Sequence, residues 1–162
     1  MLGPALATYT AVLVADTAIP AWHDAHRELP FLFAGSAMAS AAGAGMMLTT
    51  ADAAAPARRL AVTGAALEIS AFRAMESRLG DSPYTGGPAG NLAKGAEACT
   101  AAGAVLAVAA GRRRPAAVAA GALLCAGSIL TRFSVFRAGF ESAADPAATI
   151  GPQRRRSQEL ER

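Results

Sequence analysis

The sequence predicts an all-α integral membrane bundle of about five transmembrane helices. Three observations predict it. Hydrophobic residues make up 53% of the 162 residues, charged residues only 17%, and mean hydropathy is +0.31. An average soluble domain carries about 25% charged residues. The apolar content is mostly Ala with Gly, and aromatics are only 6%. Small residues at that density suit helices packed closely in lipid. Finally, prolines, glycines and arginines punctuate long apolar runs, with no strand-like alternation and no repeat at solenoid or propeller periods.

Taken in order, residues 4–19 read as the first helix. Pro4 suits a first helical turn and Pro20 ends the run. A short charged hairpin follows, containing Trp22, His23, Asp24, His26, Arg27 and Glu28. Pro30 then opens a second helix over 31–51, which holds no charge. At about 1.5 Å per residue it covers about 30 Å of hydrocarbon, the clearest span in the chain. Gly35, Ala39 and Gly43 recur every fourth residue along it and give a smooth face for a neighbour.

After a loop with Pro56, Arg58 and Arg59, a third helix is expected over 60–79, apolar at first and then carrying Glu68, Arg73, Glu76 and Arg78. Residues 80–90 form a turn-rich loop. A fourth helix spans 91–111, with Lys94 and Glu97 in its first turns. Arg112, Arg113, Arg114 and Pro115 make a basic turn, and a fifth helix covers 116–142. The bundle is thus expected over 1–144, and 145–162 is a polar, basic tail.

Formal net charge is +3 with a pI of about 9.4. Most of the excess is arginine at loops and in the tail, which fits the positive-inside pattern of a membrane protein. Aromatics are not interleaved with the basic clusters, so no nucleic-acid surface is read. Lipid is the expected surrounding, and a multi-pass place in the inner or plasma membrane is the expected location. The loop arginines and the arginine tail point to opposite sides and leave the orientation open. Cys99 and Cys125 lie inside apolar helices, outside any metal-ligand spacing, and read as buried inert thiols. No signal peptide is evident, because the opening residues lack a basic region.

Ionisable groups at membrane depth are expensive and point to function. Asp16, about one turn before Pro20, is a candidate proton-transfer carboxylate, or an interfacial acid paired with Arg27 or a loop amide. Glu68 follows an uncharged run and is a candidate proton relay or hydrogen-bond partner, or a structural ion pair with Arg73 or Arg132. Arg132 faces a buried carboxylate, or snorkels to the headgroups. Arg73 with Glu76 and Arg137 with Glu141 have the spacing of local helix pairs. His23 and His26 share one loop, so neither haem ligation across facing helices nor a zinc site is expected. His23 is placed at a membrane-surface site, at a docked partner, or in solvent.

Three blocks resemble the NrfD/PsrC family. The first runs from Gly3 to Ser36, with Tyr9, Pro20-Ala-Trp22 and Leu29-Pro30-Phe-Leu-Phe33. In place of that family's W-N-T corner it reads Trp22-His23-Asp24. The second is Ala66-Leu67-Glu68-Ile69. The third is Ala126 to Gly139, with Thr131-Arg132-Phe133 and Ala138-Gly139. Order and spacing agree along nearly the whole chain, and the family's members carry further helices before the first block. The resemblance implies the C-terminal portion of a cofactor-free membrane subunit that exchanges electrons between quinone or menaquinone and a ferredoxin-like iron–sulfur subunit. A molybdopterin catalytic subunit often completes such complexes. Glu68 and Arg132 are the two residues to which the resemblance extends a role. The other readings are a small transporter or channel component, and a structural anchor without its own quinone site.

Overall fold

The computed structural model describes residues 3–50, 52–80, 82–109 and 113–146. Among them the chain is helical throughout, without strands. The elements are α1 (Gly3–Ala15), α2 (Pro20–Asp24), α3 (Leu29–Leu48), α4 (Ala55–Leu79), α5 (Gly87–Ala109) and α6 (Arg114–Ala144). The arginine tail, Arg112 and Asp81 lie outside the described residues. Helices α3, α5 and α6 are long and apolar enough to cross a membrane, and α1 is a shorter apolar helix. The third expected helix, α4, has the length at 25 residues. It is more polar, because it carries Arg58, Arg59, Glu68, Arg73, Glu76 and Arg78.

The expected helix boundaries need one correction, repeated along the chain, and proline explains it. The first helix ends at Ala15, earlier than the expected residue 19, and the cause is Pro20. Its ring would clash with the carbonyl of Asp16 inside a continuous helix. The helix therefore stops at Ala15, residues 16–18 bend, and Pro20 opens the one-turn α2 from an extended Ile19. Thr17 bridges the bend, donating from Oγ1 to the Val14 carbonyl at 3.0 Å. His23, expected in a loop, sits on α2. The helix expected over 31–51 runs from Leu29 to Leu48, with Pro30 in its first turn. The one expected from 60 begins at Ala55 with Pro56 in its first turn, so Arg58 and Arg59 are helical. Likewise α5 starts at Gly87 rather than 91, and α6 spans Arg114–Ala144 rather than 116–142. A first-turn position needs no intrahelical N–H, so proline is suited to it.

Helix α3 is central and packs on α1, α4 and α6, while α5 packs chiefly on α6. The small-residue stripe on α3 does what its spacing predicts, but against two partners. A Cβ on Gly35 would collide with the backbone of Glu68 and, at 2.9 Å, with the Gly64 carbonyl of α4. A Cβ on Gly43 would lie 2.7 Å from the Gly121 carbonyl of α6. Only glycine permits such backbone approach.

The end of the bundle that carries α2 is built differently. Trp22 donates from Nε1 to the Val135 carbonyl at 2.7 Å, and its indole fills the space that any side chain on Gly139 would need. Ser142 Oγ accepts the Ala21 N–H at 3.2 Å. Tyr84, 1% exposed in the α4–α5 connection, donates to the Ala21 carbonyl at 3.2 Å. Burial pushes the Tyr84 hydroxyl above its ordinary pKa. Arg78, at the end of α4, grips Glu28 at 2.5 Å and donates to the Asp24 carbonyl. At the opposite end, Arg114 donates to the carbonyls of Met46, at 2.7 Å, and of Met47 and Thr49. It thereby satisfies the last carbonyls of α3, where a positive charge also favours the helix dipole.

The outward face of α6 is apolar, with Ile129, Phe133, Phe136 and Phe140 exposed, and α1 exposes Leu6, Tyr9, Val12 and Leu13. Large exposed apolar side chains on helices of this length are the surface of a membrane protein. Cys99 and Cys125 are free and half-buried, less enclosed than the apolar runs suggest. Cys125 Sγ points at the Ser40 carbonyl, 3.7 Å away.

Candidate functional site

Glu68 is buried at 4% exposure, where α3, α4, α5 and α6 meet. The turn before it on α4 is small, with Gly64 and Ala65, and Gly35 of α3 lies against its backbone. That close approach draws the carboxylate into the bundle instead of toward lipid. Thr131 of α6 donates to Oε1 at 2.6 Å, and Thr100 of α5, fully buried, donates to Oε2 at 3.3 Å. Ser36 of α3 lies against the same carboxylate and donates to Ser128 of α6 at 2.9 Å. Two helices thus each donate a hydroxyl to a third helix's carboxylate, with Ser36 of a fourth alongside.

Arg132 follows Thr131 on α6 and points the other way. Its guanidinium stacks over the Phe33 ring, 3.9 Å from the centroid. It lines an open groove with Leu6, Ala7 and Thr10 of α1 and with Phe33 and Ala37 of α3. Its charge acts on Glu68 across the helix, while the groups that hydrogen-bond to Glu68 are hydroxyls. The alternative in which Glu68 pairs with Arg73 does not occur. Arg73 instead reaches Glu97 of α5, at 2.6 Å from Nη2, and lies 3.9 Å from Glu76. The expected Arg137–Glu141 pair is present at 3.5 Å.

Hydroxyl ligation has a chemical consequence. Thr131 Oγ1 lies within hydrogen-bond reach of both Glu68 and the Gly127 carbonyl, at 3.1 Å. A hydroxyl has one proton and two lone pairs. With Glu68 ionised, Thr131 gives that proton to the carboxylate. With Glu68 protonated, the carboxyl donates to Thr131, which turns its proton to Gly127. Both protonation states are satisfied without moving a helix, which is what a proton-carrying group needs.

Of the four residues singled out from sequence, Glu68 and Arg132 come together across α4 and α6. Asp16 and His23 do not join them. Asp16 is exposed just past α1, where its N–H completes the helix to Val12 at 2.9 Å. His23 is exposed on α2 and stacks on His26, with centroids 5.9 Å apart. Thr100, Thr131, Ser36 and Glu97 were missed as site residues. Threonine and serine in an apolar helix normally bond their own backbone, as Ser40 does to Ser36. Their spacing carries no signal until four helices are assembled. No protein-family model matches the chain, and no curated protein or solved structure matches it with significance.

Proposed function

We propose that the protein is a multi-pass subunit of the inner or plasma membrane that interacts with quinone or quinol within an iron–sulfur oxidoreductase complex. The observation that carries this reading is the pairing of Glu68 and Arg132, the two residues to which the NrfD/PsrC resemblance extends a role. They occupy opposite sides of one helix–helix contact, one enclosed by hydroxyls and one open to a groove. A quinone exchanges two electrons and two protons between its carbonyl and hydroxyl forms. The groove suits such a headgroup: Leu6, Ala7 and Ala37 offer an apolar wall, while Arg132, stacked on the buried Phe33 ring, and Thr10 offer donors to a carbonyl oxygen. Glu68 holds a proton within the bundle, bonded to Thr131, the residue before the groove's Arg132. Electrons come from a ferredoxin-like iron–sulfur subunit, with a molybdopterin subunit as the partner that sets the terminal substrate.

The test is to purify the complex from native membranes through a tag on this chain, assay its iron, and follow quinol-linked electron transfer. Glu68→Gln keeps the shape of the side chain and removes its proton chemistry. Turnover should fall by about a hundredfold, the lower range for a positioned proton-transfer group. Wild-type turnover in an assembled Glu68→Gln complex would remove Glu68 from the mechanism.

A further inference from the structure

On the side of Glu68 away from the Arg132 groove lies a cavity between α3, α4, α5 and α6. Its polar lining is Glu68, Thr100, Thr131, Ser134 and Glu97, and the rest of its wall is apolar, including Leu32, Phe72 and Ala96. Measured at water centres its volume is about 20 Å³, room for a single water, which needs at least about 10 Å³ and two or more polar partners. Two carboxylates therefore share one water-sized space, the first buried and the second at the bundle's edge. Glu97 is one helical turn from Thr100 on α5, and its side chain is 24% exposed. There it meets Arg73, itself 64% exposed, and Arg73 in turn lies 3.9 Å from Glu76.

We propose that this cavity conducts protons between Glu68 and the outer surface of the α4–α5 seam, with Glu97 as the terminal proton-carrying group. The proposal deepens the quinone reading, since it gives the proton of Glu68 a way in and out. The transfer balances without a redox partner. The Glu68 O–H bond breaks and its proton passes to the cavity water. That water releases a proton to the Glu97 carboxylate, and Glu97 exchanges it with solvent at the seam. Thr100 orients the water by donating to Glu68 and accepting from the cavity. The charged groups around the mouth of the route are Arg73 and Glu76 from α4 and Glu97 from α5, Arg132 of α6 acts on Glu68 from the opposite side, and the α3 wall contributes the apolar Leu32. Arg73 pairs with Glu97 at the mouth and takes no part in the transfer.

The experiment is infrared spectroscopy of the purified protein in lipid nanodiscs. The Glu68 carboxyl band is identified as the band absent in Glu68→Gln, and its deuterium exchange is timed after transfer to D₂O. Exchange should slow about a hundredfold in Glu97→Gln, as loss of a positioned proton-transfer group does. Ala96→Leu, which fills the cavity, should slow it similarly. Arg73→Gln breaks the same ion pair but leaves the Glu97 carboxylate, and should exchange at close to the wild-type rate. Unchanged exchange in Glu97→Gln overturns the proposal. So does slowing of equal size in Arg73→Gln, which would mean that the ion pair only braces the seam. The lack of any Glu68-dependent carboxyl band down to pH 5 also overturns it, because a group that never takes a proton relays none. Should exchange be unaffected in Glu97→Gln while Glu68→Gln still stops quinol turnover, the route falls and the quinone reading stands. Retained turnover in Glu68→Gln sinks the quinone reading and leaves the exchange result to decide the route.

Discussion

The two ends of this bundle are held by different physics. The end away from α2 is a cluster of Ala39, Ala42, Met46, Ala54, Ala61, Ala107, Ala120 and Leu124. Glycines there let backbones touch, as Gly43 and Gly121 do. The α2 end buries larger groups, including Leu32, Phe33, Phe72, Met75, Tyr84 and Val135, with Trp22 packed against them. It is stitched by side-chain hydrogen bonds between residues far apart in sequence, such as Trp22 to Val135 and Tyr84 to Ala21. Glu68 lies among the residues bonded in this second manner. Smooth packing gives close approach and leaves no polar groups to arrange. The bonded end accepts the cost of burying polar groups, and gains fixed positions for a carboxylate and an arginine.

The comparison is broken most severely by enlarging the smooth end. In Gly43→Leu the added Cβ alone would meet the Gly121 carbonyl at 2.7 Å and Cys125 Sγ at 3.1 Å. Helices α3 and α6 must then part. Overpacking costs about 1–3 kcal/mol where side chains can yield, and backbone cannot yield as they do. The variant should show the largest fall in thermal unfolding temperature in detergent.

Next in size is Thr131→Val at the bonded end. It keeps volume but leaves Glu68 Oε1 without its 2.6 Å donor. An unsatisfied buried polar group costs about 1–3 kcal/mol. Quinol turnover should fall with it, since the proton can no longer be handed to a hydroxyl. Trp22→Phe follows. It removes the 2.7 Å bond to Val135 while keeping an aromatic ring against Gly139. Loss of about 1 kcal/mol is expected in a denaturant titration, the net worth of one hydrogen bond.

The smallest effect is pH-dependent. Arg78 holds the Glu28 carboxyl below its ordinary value of 4.5. A group depressed in the folded state contributes stability above its unfolded pKa and loses it as pH falls through the folded one. The pair should therefore act fully at neutral pH and fade below about pH 4.5. Melts of wild type and Arg78→Gln should differ at pH 7 and converge toward pH 3, with a modest gap because the guanidinium is partly exposed.

The same contrast explains what was legible in the sequence. The all-α bundle was legible because long uncharged runs mark themselves, and the contact face of α3 because Gly35, Ala39 and Gly43 carry a period. Helix starts were misplaced where proline was read as a stop, as at Pro20, or as part of a loop, as at Pro56 and Pro88: all three sit in first turns, and only the local N–H pattern distinguishes the uses. Glu68 and Arg132 stood out because charge in an apolar run is costly. Their surroundings did not. Thr100, Thr131 and Ser36 look like ordinary small polar residues of close-packed helices, and Glu97 looked like a first-turn acid. Its partner Arg73 had a nearer acid in Glu76, three residues on. Geometry across helices, absent from any one segment, adds Glu97 to the expected Arg73–Glu76 pair.

In the proposed function, Glu68 carries a proton for quinone chemistry. Quinol-linked turnover of the assembled complex, compared between wild type and Glu68→Gln, tests it most directly. The expected result is intact assembly with turnover reduced about a hundredfold. Intact assembly with unchanged turnover would contradict it.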